Sequence, residues 1–191
     1  SSLQAIVGMI AEERDANGAV RLLVLGAERF DAGAAVHALA KKLCDTGETI
    51  LLPLGASIAA DDTGGVAGFL DLLAGEASFA EVIRREQNSP LHILPRGNGA
   101  LDEIADAPDQ AAMAMDALGG TYVNVVVEAQ ADVPDMTLTG LAATADVAII
   151  VSQGADVDDG ATALFHHMHT IMQREPLIML LDAASKDTVA A

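Results

Sequence analysis

Tryptophan is absent from this sequence, Tyr122 is the only tyrosine and Cys44 the only cysteine. So few aromatic side chains leave almost no raw material for the stacking platforms that hold single-stranded nucleic acid. One cysteine cannot form a disulfide within the chain, which fits a reducing compartment, and Cys44 falls on the apolar side of a helical pattern, where packing is its expected role. Positive charge is scarce too. Ten Lys and Arg against 28 Asp and Glu leave a formal charge of −18, and Arg84, Arg85 and Arg96 are too few to make a basic patch. Nucleic acid and anionic lipid surfaces are therefore excluded as partners. No run of about 18 apolar residues occurs and no basic-then-apolar leader opens the sequence, so the expected chain is soluble and cytoplasmic. It could still have been cut from a membrane protein.

What is present is a half-apolar chain of 191 residues, which excludes disorder and is the right length for one well-cored domain spanning 1–191. Leu3, Ile6, Val7 and Ile10 form an apolar stripe on a first helix that Asp15 to Gly18 ends. Leu22 to Leu25 reads as a buried strand, followed by a helix over Ala32 to Thr46 with Val36, Leu39, Ala40 and Leu43 inward and Gly47 as its C′ residue. A second strand covers Thr49 to Leu54, and Asp61 to Gly65 is a turn-rich loop. Short helices follow at Val66 to Leu73 and from Ser78, whose hydroxyl and Glu81 form a capping pattern. Strands are expected at Leu91 to Leu94, Tyr122 to Val127, Val147 to Val151 and Leu177 to Leu181, the second of these lying centrally. Helices are expected at Asp109 to Leu118, ended by Gly119-Gly120, and at Asp158 to Arg174. This alternation predicts an α/β protein with a doubly wound, mostly parallel sheet.

The stretch RLLVLGAERFDAGAAVHALAKKLC, Arg21 to Cys44, has the strand, glycine turn and helix order of a phosphate-binding loop. A working loop of the form GxxxxGK[ST] adds a Lys for the β/γ-phosphates and a Ser or Thr for magnesium. Both are missing here. If Gly33 stands at the Lys position, Ala34 and Ala35 replace the hydroxyl; if Gly33 is the preceding glycine, Ala34 replaces the Lys and Ala35 the hydroxyl. Arg21 and Arg29 are the nearby positive charges, neither at the Lys position, while Glu28 and Asp31 would oppose a triphosphate. Gly26, Phe30, Gly33, Ala34 and Ala35 thus outline a loop with the shape but not the side-chain chemistry.

The segment GFLDLLAGEASFAEVI, Gly68 to Ile83, followed by LHILPRGN, Leu91 to Asn98, resembles the matching part of the bacterial tyrosine kinases. These are the cytoplasmic domains of polysaccharide co-polymerases, related to the MinD and ParA ATPases. The order from Arg21 to Asp182 is similar throughout. The resemblance implies a P-loop NTPase-like three-layer sandwich and a site at which residue after residue departs from the family. Where the relatives end the second strand in Asp-Ala-Asp for magnesium, this chain has Leu54, Gly55 and Ala56. Glu128 takes the place of the Walker B aspartate, with Ala129 and Gln130 instead of Thr-Pro, and Phe30 stands where the relatives have Gly. The Arg-containing oligomerisation motif is not recognisable in Leu3 to Arg14, and no tyrosine cluster closes the chain.

The expectation is a non-catalytic pseudo-kinase or pseudo-ATPase domain of an exopolysaccharide chain-length and transport protein, tethered to the inner membrane. It would act as a regulatory or interaction module on protein partners of that assembly, and homo-oligomerisation is a further possibility. No cofactor is expected; ATP and magnesium are what an active relative would take. A weak ATPase or autokinase, and a MinD/ParA-like positioning protein, stand as alternatives. Other clusters are weaker. His166 and His169 share a helical face near Asp156, Asp158 and Asp159, but a third metal ligand is not evident, so no metal is expected. His37 and His92 are expected to be buried, neutral and bonded to backbone. Ser57, Ser78, Ser89 and Ser152 have no nucleophile elbow, and Met113, Met115, Met168, Met172 and Met179 are expected to fill core.

Overall fold

The computed structural model describes residues 3–27, 32–55, 65–154 and 157–181. In chain order these form α1 (Leu3–Asn17), β1 (Val20–Gly26), α2 (Gly33–Leu43), β2 (Thr49–Pro53), α3 (Phe69–Leu73), α4 (Phe79–Val82), β3 (Arg84–Arg85) and β4 (His92–Ile93). There follow α5 (Glu103–Asp106), α6 (Pro108–Thr121), β5 (Asn124–Gln130), α7 (Asp135–Ala143), β6 (Val147–Gln153), α8 (Asp159–Met172) and β7 (Leu177–Leu181). The strands make one sheet in the order β3-β4-β2-β5-β1-β6-β7. Every neighbouring pair is parallel except β3 with β4.

Continuous apolar runs explain the parallel centre, because a strand covered on both faces has no solvent side to keep polar. Leu22, Val24, Leu51, Val126 and Ile149 face Val36, Leu39 and Leu43 of α2 and Ile6 and Ile10 of α1. Leu23, Leu25, Leu52, Val125, Val127 and Ile150 face the opposite layer, built by α3 to α8 through Phe69, Met115, Leu118, Leu138 and Met168. This is the three-layer α/β arrangement, with β5 at the middle of the sheet as its β-branched run predicts.

Several boundaries differ from the sequence expectation for local reasons. Gly119-Gly120 does not stop α6, which runs to Thr121 before Tyr122 turns extended. Gly47 is not the C′ residue of α2; the helix ends at Leu43 with Cys44 as its C-cap, and a side chain at Gly47 would collide with Val123. The helix α7 has no counterpart in the sequence reading, since its Thr- and Gly-containing DMTLTGLAA shows little apolar periodicity. β3 is a two-residue strand, too short for any alternation to mark it. Most of the Asp61 to Gly65 turn lies outside the described residues.

The stretch that carries the family resemblance closes into a latch. Buried Asp71 accepts the Gly68 backbone N–H at 2.7 Å, the Asn98 N–H at 3.0 Å and the Asn98 side-chain amide at 3.0 Å. The first N–H groups of α3, Phe69 and Leu70, donate to the Pro95 and Arg96 carbonyls at 2.8 and 2.9 Å, so the loop after β4 caps the helix. Two glycines make the approach possible. A Cβ on Gly68 would lie 2.2 Å from the Pro95 carbonyl oxygen, and Gly97, at φ +88°, would bring one 2.3 Å from the Asp71 carboxylate. Downstream, Glu81 accepts from both the Ser78 N–H and hydroxyl, at 2.8 and 2.6 Å, starting α4 as the capping pattern suggests.

Burial pushes the Asp71 carboxyl pKa up, but the hydrogen bonds from Asn98 and Gly68 outweigh it, and the net shift is downward. A depressed pKa stabilises the fold above the unfolded value, about 3.9, and that contribution is lost as pH falls through the lower folded value. Asp71→Asn is expected to cost about 2 kcal/mol at pH 7, and the gap to wild type should narrow below about pH 4. Denaturant melts across pH check this; a gap independent of pH would mean the charge contributes nothing.

Candidate functional site

In a parallel sheet the open crevice lies beyond the carboxyl ends of the strands, and the phosphate-loop residues converge there. Gly26 is the last residue of β1, level with Gln130 of β5 and Val151 of β6, and Ala27 extends the pairing by donating to the Val151 carbonyl at 2.9 Å. The chain re-emerges at Ala32 and enters α2. Gly33 is buried at its first turn, Ala34 is exposed and Ala35 half-buried. Ala32 at the N-cap offers no side-chain acceptor, and the first turn carries no acidic residue. Phe30, with Glu28, Arg29 and Asp31, lies outside the described residues, as does Ala56. The structure thus brings Gly26, Gly33, Ala34 and Ala35 to one edge, where an active loop would place its Lys and hydroxyl.

Glu128 reaches the same edge from β5, level with Val24 and Pro53 on its neighbours, and is fully buried. Its carboxylate accepts the Gly55 backbone N–H at 2.9 Å, and the Gln130 side-chain amide lies 3.5 Å away. Leu54 reinforces the join by donating its N–H to the Glu128 carbonyl at 2.9 Å. A Cβ on Gly55 would stand 2.2 Å from one carboxylate oxygen and 2.7 Å from the other. Gly55, which spacing aligns with the middle residue of the relatives' Asp-Ala-Asp, is therefore the one that gives the longer acid its space and its donor. That role was invisible in the sequence, because it depends on the register that places Pro53 beside Glu128.

Among the described residues, which leave out Arg29, the cations near the loop in sequence are elsewhere in space. Arg21, the second residue of β1, lies roughly 16 Å of strand away from Gly26 and pairs with Asp146 at 3.2 Å and Asp116 at 2.7 Å. Lys41 and Lys42 sit at the far end of α2 against Glu86 and Asp45. His37 and His92 correct the expectation of backbone partners, since they bond to Glu86 and Tyr122 side chains and are only half-buried. Asp158 caps α8, accepting the Ala161 N–H at 2.6 Å and the Ser152 hydroxyl at 3.1 Å. His166, His167 and His169 lie exposed on α8, and no metal-capable group of three side chains occurs among the described residues. Met115, Met168 and Met179 are buried as expected, whereas Met113 is 71% exposed.

The architecture and the position of the loop define a P-loop NTPase-like fold, shared with MinD and plasmid partition proteins. Within that class the chain is similar to bacterial tyrosine kinase domains. It superposes on the kinase domain of the Escherichia coli tyrosine kinase Etk with a TM-score of 0.80 at 13% identity, covering 99% of this chain and 77% of that one. The VpsO kinase domain matches with a TM-score of 0.73 at 16% identity over 94% of this chain and 97% of that chain. MinD from Pyrococcus horikoshii, solved with Mg-ADP, gives 0.60 at 16% identity over 83% and 67%. No family model matches the sequence, and no curated protein matches it.

Gly55→Ala should destabilise the protein by about 2 kcal/mol through collision with Glu128, and adding Glu128→Asp should recover part of that loss by shortening the acid. Additive losses in a double-mutant cycle would refute the contact. Chelator should leave the Tm unchanged, whereas a fall of more than a few degrees would revive a metal site near His166 and His169.

Proposed function

We propose that the chain is a non-catalytic member of the bacterial tyrosine kinase group, a regulatory or protein-interaction domain of an exopolysaccharide chain-length and transport protein. The observation that carries this reading is the pairing of Glu128 with the Gly55 N–H, at an edge where Gly33, Ala34 and Ala35 supply no Lys or hydroxyl. Phosphoryl transfer rests on positioned positive charge and metal, and each position that would provide them, Glu128 apart, holds an aliphatic side chain or glycine. In this reading the inherited fold serves partners of the export assembly, at the inner membrane to which the whole protein would be tethered. No nucleotide or metal takes part, and self-association is one use of the same surfaces.

A second reading, weak nucleotide binding, is favoured by the α2 N-terminus, where Ala32 provides no side-chain cap and backbone N–H groups alone could meet phosphate. Calorimetry separates the two. Mg-ATP is expected not to bind at millimolar concentration, and Gly33→Lys with Ala34→Ser and Ala35→Thr is expected to restore no turnover, since Leu54, Gly55 and Glu128 are unchanged. Micromolar affinity in the wild type, or turnover in the triple variant, would overturn the non-catalytic reading.

A further inference from the structure

The amino-terminal ends of the strands carry a second concavity, on the edge opposite the degenerate loop. A cavity of about 400 Å³ opens there, lined by Cys44, Glu48, Thr49, Arg85, His92 and Tyr122 among others. Arg85 and His92 are directly opposite in the antiparallel β3–β4 pair, so both side chains leave on one face of the sheet. His92 Nδ1 lies 2.7 Å from the Tyr122 hydroxyl, and the two rings meet edge to face at 5.5 Å between centroids.

Arg85 donates its Nε to the Ser89 carbonyl at 3.2 Å. Among the described residues its guanidinium makes no ion pair, unlike Arg21, Lys41, Lys42 and Arg174. Two donor-bearing side chains side by side, backed by a phenol, form an arrangement that an anion completes. We propose that this cavity binds a small oxyanion, a phosphate or carboxylate group, between Arg85, His92 and Tyr122. Burial and the nearby Glu48 push the Tyr122 pKa up, so the phenol keeps its proton and remains a donor. That one proton goes to His92 Nδ1 or to the anion, not to both. When the phenol donates to Nδ1 the ring presents Nε2–H, and when Nδ1–H donates to the phenol oxygen the hydroxyl proton is free. The pair therefore offers the anion one neutral donor in either tautomer.

The net charge of −18 does not forbid this, because screening over about 8 Å at physiological salt leaves the local residues in control. Glu48 on the wall opposes an anion, and Arg85 with the one neutral donor of the His92–Tyr122 pair must outweigh it. The proposal concerns a site separate from the degenerate loop and does not rest on the non-catalytic reading.

With no tryptophan in the chain, tyrosine-selective fluorescence reports on Tyr122 alone. Titration of the intact protein with inorganic phosphate and, separately, sodium acetate at constant ionic strength is expected to give a saturable change with half-saturation at or below about 1 mM for at least one. A response to phosphate alone assigns a phosphate ligand, and one to acetate alone a carboxylate. Arg85→Ala should weaken binding about tenfold or more, while Arg84→Ala, one residue along and on the opposite face, should change it less than about twofold. Both arginines are exposed, so neither variant threatens the fold. No saturable response to either anion, or equal weakening by both variants, overturns the proposal.

Discussion

The chain's strongest constraint is that β1 and β5 lie side by side, parallel and covered on both faces. Their backbone groups are satisfied within the sheet and their side chains are consumed by packing, so chemistry is confined to the two edges where strands begin and end. Gly26, Gly55 and Glu128 collect at one edge, and Arg85, His92 and Tyr122 at the other. Neither set is contiguous in sequence. What unites each is the level at which its strands stop.

At the loop edge Glu128 and Gly55 are coupled through one hydrogen bond. A buried carboxylate needs donors or a cation, and two facing carboxylates without a cation repel. An acid at the end of β2 beside Glu128 would need a metal between them. Leu54 brings no second acid to the end of β2, and Gly55 beside it supplies an N–H instead and leaves room for the extra methylene of Glu128. The buried Glu128 carboxylate thus has a backbone donor at this edge.

Legibility followed periodicity. β1, β2, β5, β6 and β7 are continuous apolar runs, and α2 and α8 carry clear stripes, so the layer order could be read before any contact was known. α7 could not, because its Thr and Gly residues blur the stripe, and β3 could not, because two arginines carry no pattern. Glycine was read as punctuation at Gly47 and Gly119-Gly120, whereas Gly47 yields to the tight approach of Val123 and the α6 glycines remain helical. The loop residues were recognisable as missing side chains. Their replacement by a Glu128–Gly55 bond required the register.

The Asp71 latch joins two segments through backbone groups and one carboxylate, and none of its atoms belongs to the phosphate loop. Its two halves, Gly68 to Asp71 and Pro95 to Asn98, are held together by requirements of folding alone. The segment that makes this architecture recognisable therefore does not depend on the side chains of the loop. A survey for relatives keyed to Lys and Ser in the loop would pass over chains of this kind. One keyed to a glycine three residues before a buried aspartate, and to Pro-x-Gly-Asn after β4, would retain them.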